Sequence, residues 1–254
     1  MDKTGTHNRS ASRFAAWISV LIASAAVAGS CVDRVSAERR GREVFEDSAY
    51  PNSRFNAYSC ATCHRATPDE RRNLVLPGAM LAGSTRRPTF WGGSVVAFQD
   101  AVALCFEKFM RGGRFEPSDD RSIALYAYLD SLASRPDAVQ TAVPFTVSGT
   151  TSPPGAGDTA RGQRLYDNAC AYCHGAPRAA SRPIPTASIL PDDTEREHGV
   201  AQGYTAETLA QVFVEKTRHG SFLGFAGFMP PFSAETLSDQ DIADIVAYLA
   251  PTLR

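Results

Sequence analysis

The chain has 254 residues, 43% of them hydrophobic, and 26 basic side chains set against 27 acidic ones give a formal net charge of −1. That length predicts more than one domain. The balanced, scattered charge excludes the concentrated basic face that nucleic acid requires, so no nucleic-acid partner is expected.

Lys3, Arg9 and Arg13 precede an apolar run from Phe14 to Ala28, and small residues then lead to Cys31. This is the order of an export signal, and the run is short for a bilayer span. Ala28-Gly29-Ser30-Cys31 resembles a bacterial lipoprotein box, which implies Cys31 as a lipidated first residue; Val35-Ser36-Ala37 offers an ordinary small-residue cleavage site instead. An uncleaved anchor is a third outcome. Residues 1–37 are read as this leader, with lipidation favoured. Every outcome places the rest of the chain outside the cytoplasm, on the periplasmic side of a bacterial membrane, attached to it by a lipid anchor or the leader.

Ala37 to Phe45 reads as helical and passes through a polar stretch, Glu46 to Asn56, into Cys60-Ala61-Thr62-Cys63-His64. Cys-x-x-Cys-His is the pattern of covalent c-type haem attachment, in which two thiols one helical turn apart each bond a vinyl group and the adjoining imidazole ligates the iron. A second copy, Cys170-Ala171-Tyr172-Cys173-His174, predicts two haem c groups. A zinc ribbon would want its two Cys-x-x-Cys pairs about 15 to 20 residues apart, and a thioredoxin-like dithiol would want a βαβ setting. Neither accounts for His64 and His174.

Farther on, Phe98, Val102, Cys105 and Phe109 share one helical face, so Cys105 is expected to point inward, with Met110 at the helix end before Gly112 and Gly113. Ser118 to Leu129 then aligns without gaps on Ser238 to Leu249, each pair 120 positions apart, and both stretches are expected to be amphipathic helices with a serine N-cap. Arg135 to Gly157 is rich in Pro and Gly, lacks periodicity and reads as a linker. After it, Arg161-Gly162-Gln163-Arg164-Leu165-Tyr166 echoes Arg40-Gly41-Arg42-Glu43-Val44-Phe45, and Thr205 to His219 reads as a helix stopped by Gly220. The fold class is therefore all-α. The order of opening helix, haem motif and closing helix resembles the class I cytochrome c fold, which implies two tandem domains, 38–134 and 158–254, joined by linker 135–157.

The sixth iron ligand largely decides potential and reactivity. In the second domain, Met229 is expected, because Gly227-Phe228-Met229-Pro230-Pro231-Phe232 resembles the ligand loop of class I cytochromes and its prolines forbid a regular helix. His219 is read as a helix-end cation and His198 as a solvated residue. In the first domain two residues compete. Met110 is the counterpart of Met229 by internal repeat. Cys105 is a lone thiol in an oxidising compartment, and Cys105-Phe106-Glu107-Lys108-Phe109-Met110 resembles the segment of dihaem thiosulfate dehydrogenases whose cysteine ligates the catalytic haem, as in SoxA-type cytochromes.

That resemblance implies a small sulfur anion held by arginines close before the cysteine. Val95 to Leu104 carries no basic residue, so Arg86, Arg87, Arg111 and Arg114 would have to serve, and the lysine of that family before the second methionine is here Phe228. Each proximal imidazole also needs a carbonyl acceptor for its Nδ1 proton. By resemblance to cytochromes this points to Pro77 and Pro185. The expected function is one-electron transfer between exported redox-partner proteins. Oxidation of thiosulfate or a related anion at Cys105, or service as a cytochrome subunit of a larger dehydrogenase or oxidase, are the alternatives.

Overall fold

The computed structural model describes residues 34–147, 150–220 and 229–249. Residues 1–33 of the leader, with Cys31, the Gly227-Phe228 part of the methionine loop and residues 250–254 lie outside the described residues. Among the described residues the chain is helical, and its β pairing is limited to an isolated antiparallel bridge between Phe90 and Val95. None of these helices is long and apolar enough to cross a membrane.

Helix α1 spans 34–46, and α2 is the single turn Cys60–Cys63. Helix α3, Phe98–Leu104, runs on into a wider turn, Cys105–Phe109, closed by Met110 N–H donating to Cys105 O at 3.0 Å. Helix α4 is Asp120–Ser131, α5 Thr159–Ala169, α6 Ala171–His174, α7 Asp192–His198, α8 Ala206–His219 and α9 Asp239–Leu249. Two hydrophobic clusters form the core. One gathers Phe45, Phe106, Met110, Leu125, Tyr128 and Leu129; the other gathers Tyr166, Leu209, Phe213, Leu237, Ile242 and Ile245.

The 120-residue repeat is visible in the packing. In α1, a Cβ on Gly41 would meet the carbonyl oxygen of Ala124 in α4 at 1.9 Å; in α5, a Cβ on Gly162 would meet that of Asp244 in α9 at 1.8 Å. Glycine at each crossing lets the two backbones touch. One turn along, Phe45 packs on Tyr128 with ring centroids 5.9 Å apart, and Tyr166 on Tyr248 at 5.6 Å. The N-cap expectation holds in one copy only. Ser238 Oγ accepts from Asp241 N–H at 3.1 Å, whereas α4 is capped by Asp119, whose carboxylate accepts from Arg121 N–H at 3.1 Å. Both oxygens suit the role, and the aspartate stands one residue nearer the first turn.

The described residues of 135–157 are irregular, as their composition suggests, but they are strapped to both halves of the chain. Val139 N–H donates to Ala82 O at 3.0 Å, and the Phe145 ring meets Trp91 edge-on at 5.0 Å. Thr146 N–H and hydroxyl donate to Glu235 at 3.0 and 2.6 Å.

Replacing Gly162 by Ala tests the crossing. Helix propensity alone would favour Ala by about 1 kcal/mol, but the new methyl overlaps a backbone carbonyl that cannot move without shifting α9. Gly162→Ala is expected to lose about 2–3 kcal/mol net in denaturant titration. Gly113→Ala, where a Cβ meets nothing within 4 Å, should stay within about 0.5 kcal/mol of the parent.

Candidate functional site

The first Cys-x-x-Cys-His segment forms the turn α2, with Ser59 and Thr62 closing a reciprocal capping box at its start. His64 N–H donates to Cys60 O at 3.0 Å, which ends the turn and carries the chain away in extended geometry. The loop then returns. Gly78 N–H donates to Cys63 O at 3.0 Å, and His64 Nδ1 lies 2.8 Å from Ala79 O.

The second motif repeats this arrangement. Ile184 N–H donates to Cys173 O at 3.2 Å, and His174 Nδ1 lies 2.8 Å from Ser188 O. A carbonyl accepts only, so each Nδ1 carries the proton and each Nε2 is left with a lone pair for a metal. Burial pushes both imidazoles below their ordinary pKa, against the raising effect of those bonds, which keeps them neutral.

The acceptors correct the expectation of Pro77 and Pro185. Gly78 has no side chain, so the backbone following Pro77 closes directly on the His64 ring and brings Ala79 O to Nδ1. A Cβ on Gly78 would stand 2.3 Å from Cε1 and 2.4 Å from Nδ1. In the second copy Pro185 O is taken by the Arg182 guanidinium at 2.9 Å.

Around the first motif lies an apolar cavity of about 1260 Å³, part of it open to solvent, lined by Cys60, Cys63 and His64 together with Cys105 and Met110. Phe98, Val102 and Phe109 line it too, so the inward face read from the sequence is the cavity wall. Trp91 closes one side, stacked on Phe109 with centroids 5.7 Å apart.

The wide turn at Cys105 inserts an extra residue into the helix, a feature frequent at functional sites. Asn56 Nδ2 donates to Phe109 O at 2.8 Å and supports that turn from below. Met110 is 5% exposed and belongs to the first core cluster. Both rival sulfurs therefore reach the same cavity.

Burial raises the thiol pKa of Cys60, Cys105 and Cys170 to about 12 and of Cys173 to about 11, and that of Cys63 well above its ordinary value. A redox dithiol needs the opposite, a depressed thiol in a polar setting. Among the described residues no three His, Cys, Asp or Glu side chains converge as a structural zinc would require. Two thiols one turn apart, a neutral imidazole with its Nδ1 anchored, and an apolar cavity around them fit covalent haem c.

Of the four arginines weighed for an anion, Arg87 alone lines this cavity. It is 8% exposed and its guanidinium donates to Val139 O at 2.9 Å and Met80 O at 2.6 Å. Arg86 is exposed, Arg111 lies over the Phe55 ring and Arg114 pairs with Glu116. Met229, half-buried, packs against the second cluster, as Cys170 and Ala171 do. His219 is fully buried at the end of α8, 2.8 Å from Glu215, with Gly220 as its cap. His198, at the end of α7, is half-buried rather than solvated and packs edge-on against Tyr204 with centroids 5.3 Å apart.

Residues 157–249 match the family model for subunit III of cbb3-type cytochrome c oxidase. The chain resembles c-type cytochromes over that stretch. It resembles thiosulfate dehydrogenases: it is 24% identical over 236 positions to that enzyme of Psychrobacter arcticus, with 84% of this chain and 62% of the relative covered. A solved thiosulfate dehydrogenase from Marichromatium purpuratum is 17% identical over 84% of this chain and 45% of that one, with a TM-score of 0.37. The chain thus spans under two thirds of the length of the relatives it matches.

Sequence reading missed Gly78, Ala79 and Ser188, because a backbone acceptor leaves no side-chain signal. Gly78→Ala is expected to push the His64 ring off Ala79 O. The spectrum of the first site should change while haem stays attached through Cys60 and Cys63, as read by absorbance and magnetic circular dichroism; an unaltered spectrum would refute this geometry.

Proposed function

We propose that the protein is an exported dihaem cytochrome c that passes electrons one at a time between redox-partner proteins, built as two class I-like domains joined by segment 135–157. The observation that carries the reading is the repeated local geometry: two Cys-x-x-Cys-His turns, each followed by a loop whose carbonyl lies 2.8 Å from the histidine Nδ1. Cys60 and Cys63 would tether one group and Cys170 and Cys173 the other, with His64 and His174 as proximal ligands. Met229 would complete the second site, and Met110 or Cys105 the first. Haem, when bound, supplies reversible one-electron chemistry at iron.

The chain's own residues do the rest. Ala79 O and Ser188 O hold each ring in one tautomer and raise the basicity of its Nε2. Phe98, Val102, Phe109 and Trp91 keep water from the first cavity, and low dielectric there strengthens the effect of every nearby charge. Attachment outside the cytoplasm follows from the leader read in residues 1–37, with Cys31 as the lipidated residue.

A second reading makes the first site an oxidoreductase for thiosulfate or a related small sulfur anion. Cys105 and the buried Arg87, both on the wall of the first cavity, and the thiosulfate dehydrogenase relative favour it. Cysteine as the distal ligand would lower the potential of that site relative to methionine, so its electrons would run downhill to the second.

Two measurements test these readings. Intact mass of the mature protein, made in a host that attaches haem, is expected to exceed the peptide by two haems; an excess of one or none defeats the dihaem reading. Low-temperature EPR of Cys105→Ala is expected to lose the thiolate-type signal if Cys105 is the ligand, together with thiosulfate-dependent reduction of the oxidised protein. An unchanged signal assigns the position to Met110, and absence of reduction by any sulfur anion leaves the carrier.

A further inference from the structure

Between His64 and Gly78 the chain makes a turn whose residues reach the other half of the molecule. Val75 N–H donates to Asn168 O at 2.8 Å, and Arg71 sits four residues earlier. Its Nη1 donates both to Ala61 O and, at 2.8 Å, to the Tyr172 hydroxyl. Ala61 lies between Cys60 and Cys63, and Tyr172 between Cys170 and Cys173. One nitrogen therefore joins the interiors of the two Cys-x-x-Cys turns. The guanidinium carbon also stands 5.0 Å from the Tyr172 ring centroid, a cation on an aromatic face.

Three further observations give this bridge a role beyond decoration. Arg71 has φ +49°, a left-handed conformation that a non-glycine residue adopts only when its surroundings hold it there. Cys173 packs against the first hydrophobic cluster rather than the second, so the second motif reaches into the half that holds the first. No carboxylate pairs with it among the ion pairs of the described residues, although Arg72 beside it is paired with Asp69.

We propose that Arg71 is the positioning residue that couples the two haem sites: its fork fixes the spacing between the two attachment turns, and its unneutralised charge favours the reduced state of both. This rests on the dihaem reading above. The coupled event is transfer of one electron from the Fe(II) of one site to the Fe(III) of the other; no bond forms or breaks and no further reactant enters. A cation near both irons raises both potentials, since it disfavours the more positive oxidised form. Rigid contact between the two turns keeps the distance short and constant.

The test uses the full chain with haem attached. Arg71 is exposed, so its replacement is expected to leave the core intact. In Arg71→Gln both potentials should fall in spectroelectrochemical titration, and equilibration between the sites after a one-electron photoreductant pulse should slow about tenfold. Arg71→Lys keeps the charge and loses the fork; its potentials should stay near the parent values while equilibration still slows. Tyr172→Phe removes one acceptor and should slow equilibration alone. Parent-like potentials and rates in Arg71→Gln, with two haems per chain by mass, overturn the proposal. A parent chain carrying fewer than two haems overturns the dihaem reading beneath it, and the proposal with it.

Discussion

At Gly162 the backbone of one helix lies against the backbone of another with no side chain between them, and the same contact recurs at Gly41. These two crossings fix the molecule. Each joins the helix that opens a half to the helix that closes it, so the segment between them is drawn back on itself around the Cys-x-x-Cys-His turn. Tyr166, fully buried one turn beyond Gly162, donates its hydroxyl to Gly175 O at 2.8 Å, immediately after His174. The crossing thus reaches the attachment turn through one side chain. A looser helix pair would leave Tyr166 free to shift, and the imidazole loop with it.

The sequence carried the two attachment turns and the helices that frame them, because both depend on local spacing: cysteines three apart, apolar residues at helical period, Gly220 at the end of α8. The inward face of Phe98, Val102, Cys105 and Phe109 was legible for the same reason. What stayed hidden was set by backbone atoms and by distance along the chain. Ala79 and Ser188 act through carbonyls, which any residue possesses, and Pro185 looked equally suitable until Arg182 is seen to occupy it. The wide turn at Cys105 leaves no mark in periodicity. The Gly41 and Gly162 echo was visible as a repeat, but only the 1.9 and 1.8 Å approaches explain why glycine stands there.

The two halves share more than a connecting strand. Ile184 and Cys173, which belong to the second half by sequence, join the first cluster, while Val75 joins the second; Pro230 and Pro231 line the first cavity. Segment 135–157 runs across this joint, bound to Ala82 and Trp91 on one side and to Glu235 on the other. A linker of this composition would be flexible alone. Here its aromatic and carboxylate partners hold it, so the spacing of the two attachment turns is a property of the packed molecule rather than of a tether.

Charge placement follows the same logic. Arg121, Arg135, Arg161, Arg178 and Arg218 meet carboxylates on the surface or in the second core. Arg87 and Arg71 instead satisfy their donors with carbonyl oxygens and, for Arg71, a tyrosine hydroxyl. Neutral acceptors leave a guanidinium its full charge; for Arg87, buried in an apolar wall, that charge acts over a longer range than it would in water, whereas that of the exposed Arg71 is partly screened. Both stand beside the first attachment turn, Arg87 on the cavity wall and Arg71 on the outer side. Under the proposed function, two cations that meet no carboxylate among the ion pairs of the described residues stand beside the turn where an electron, or an anion that donates one, would arrive.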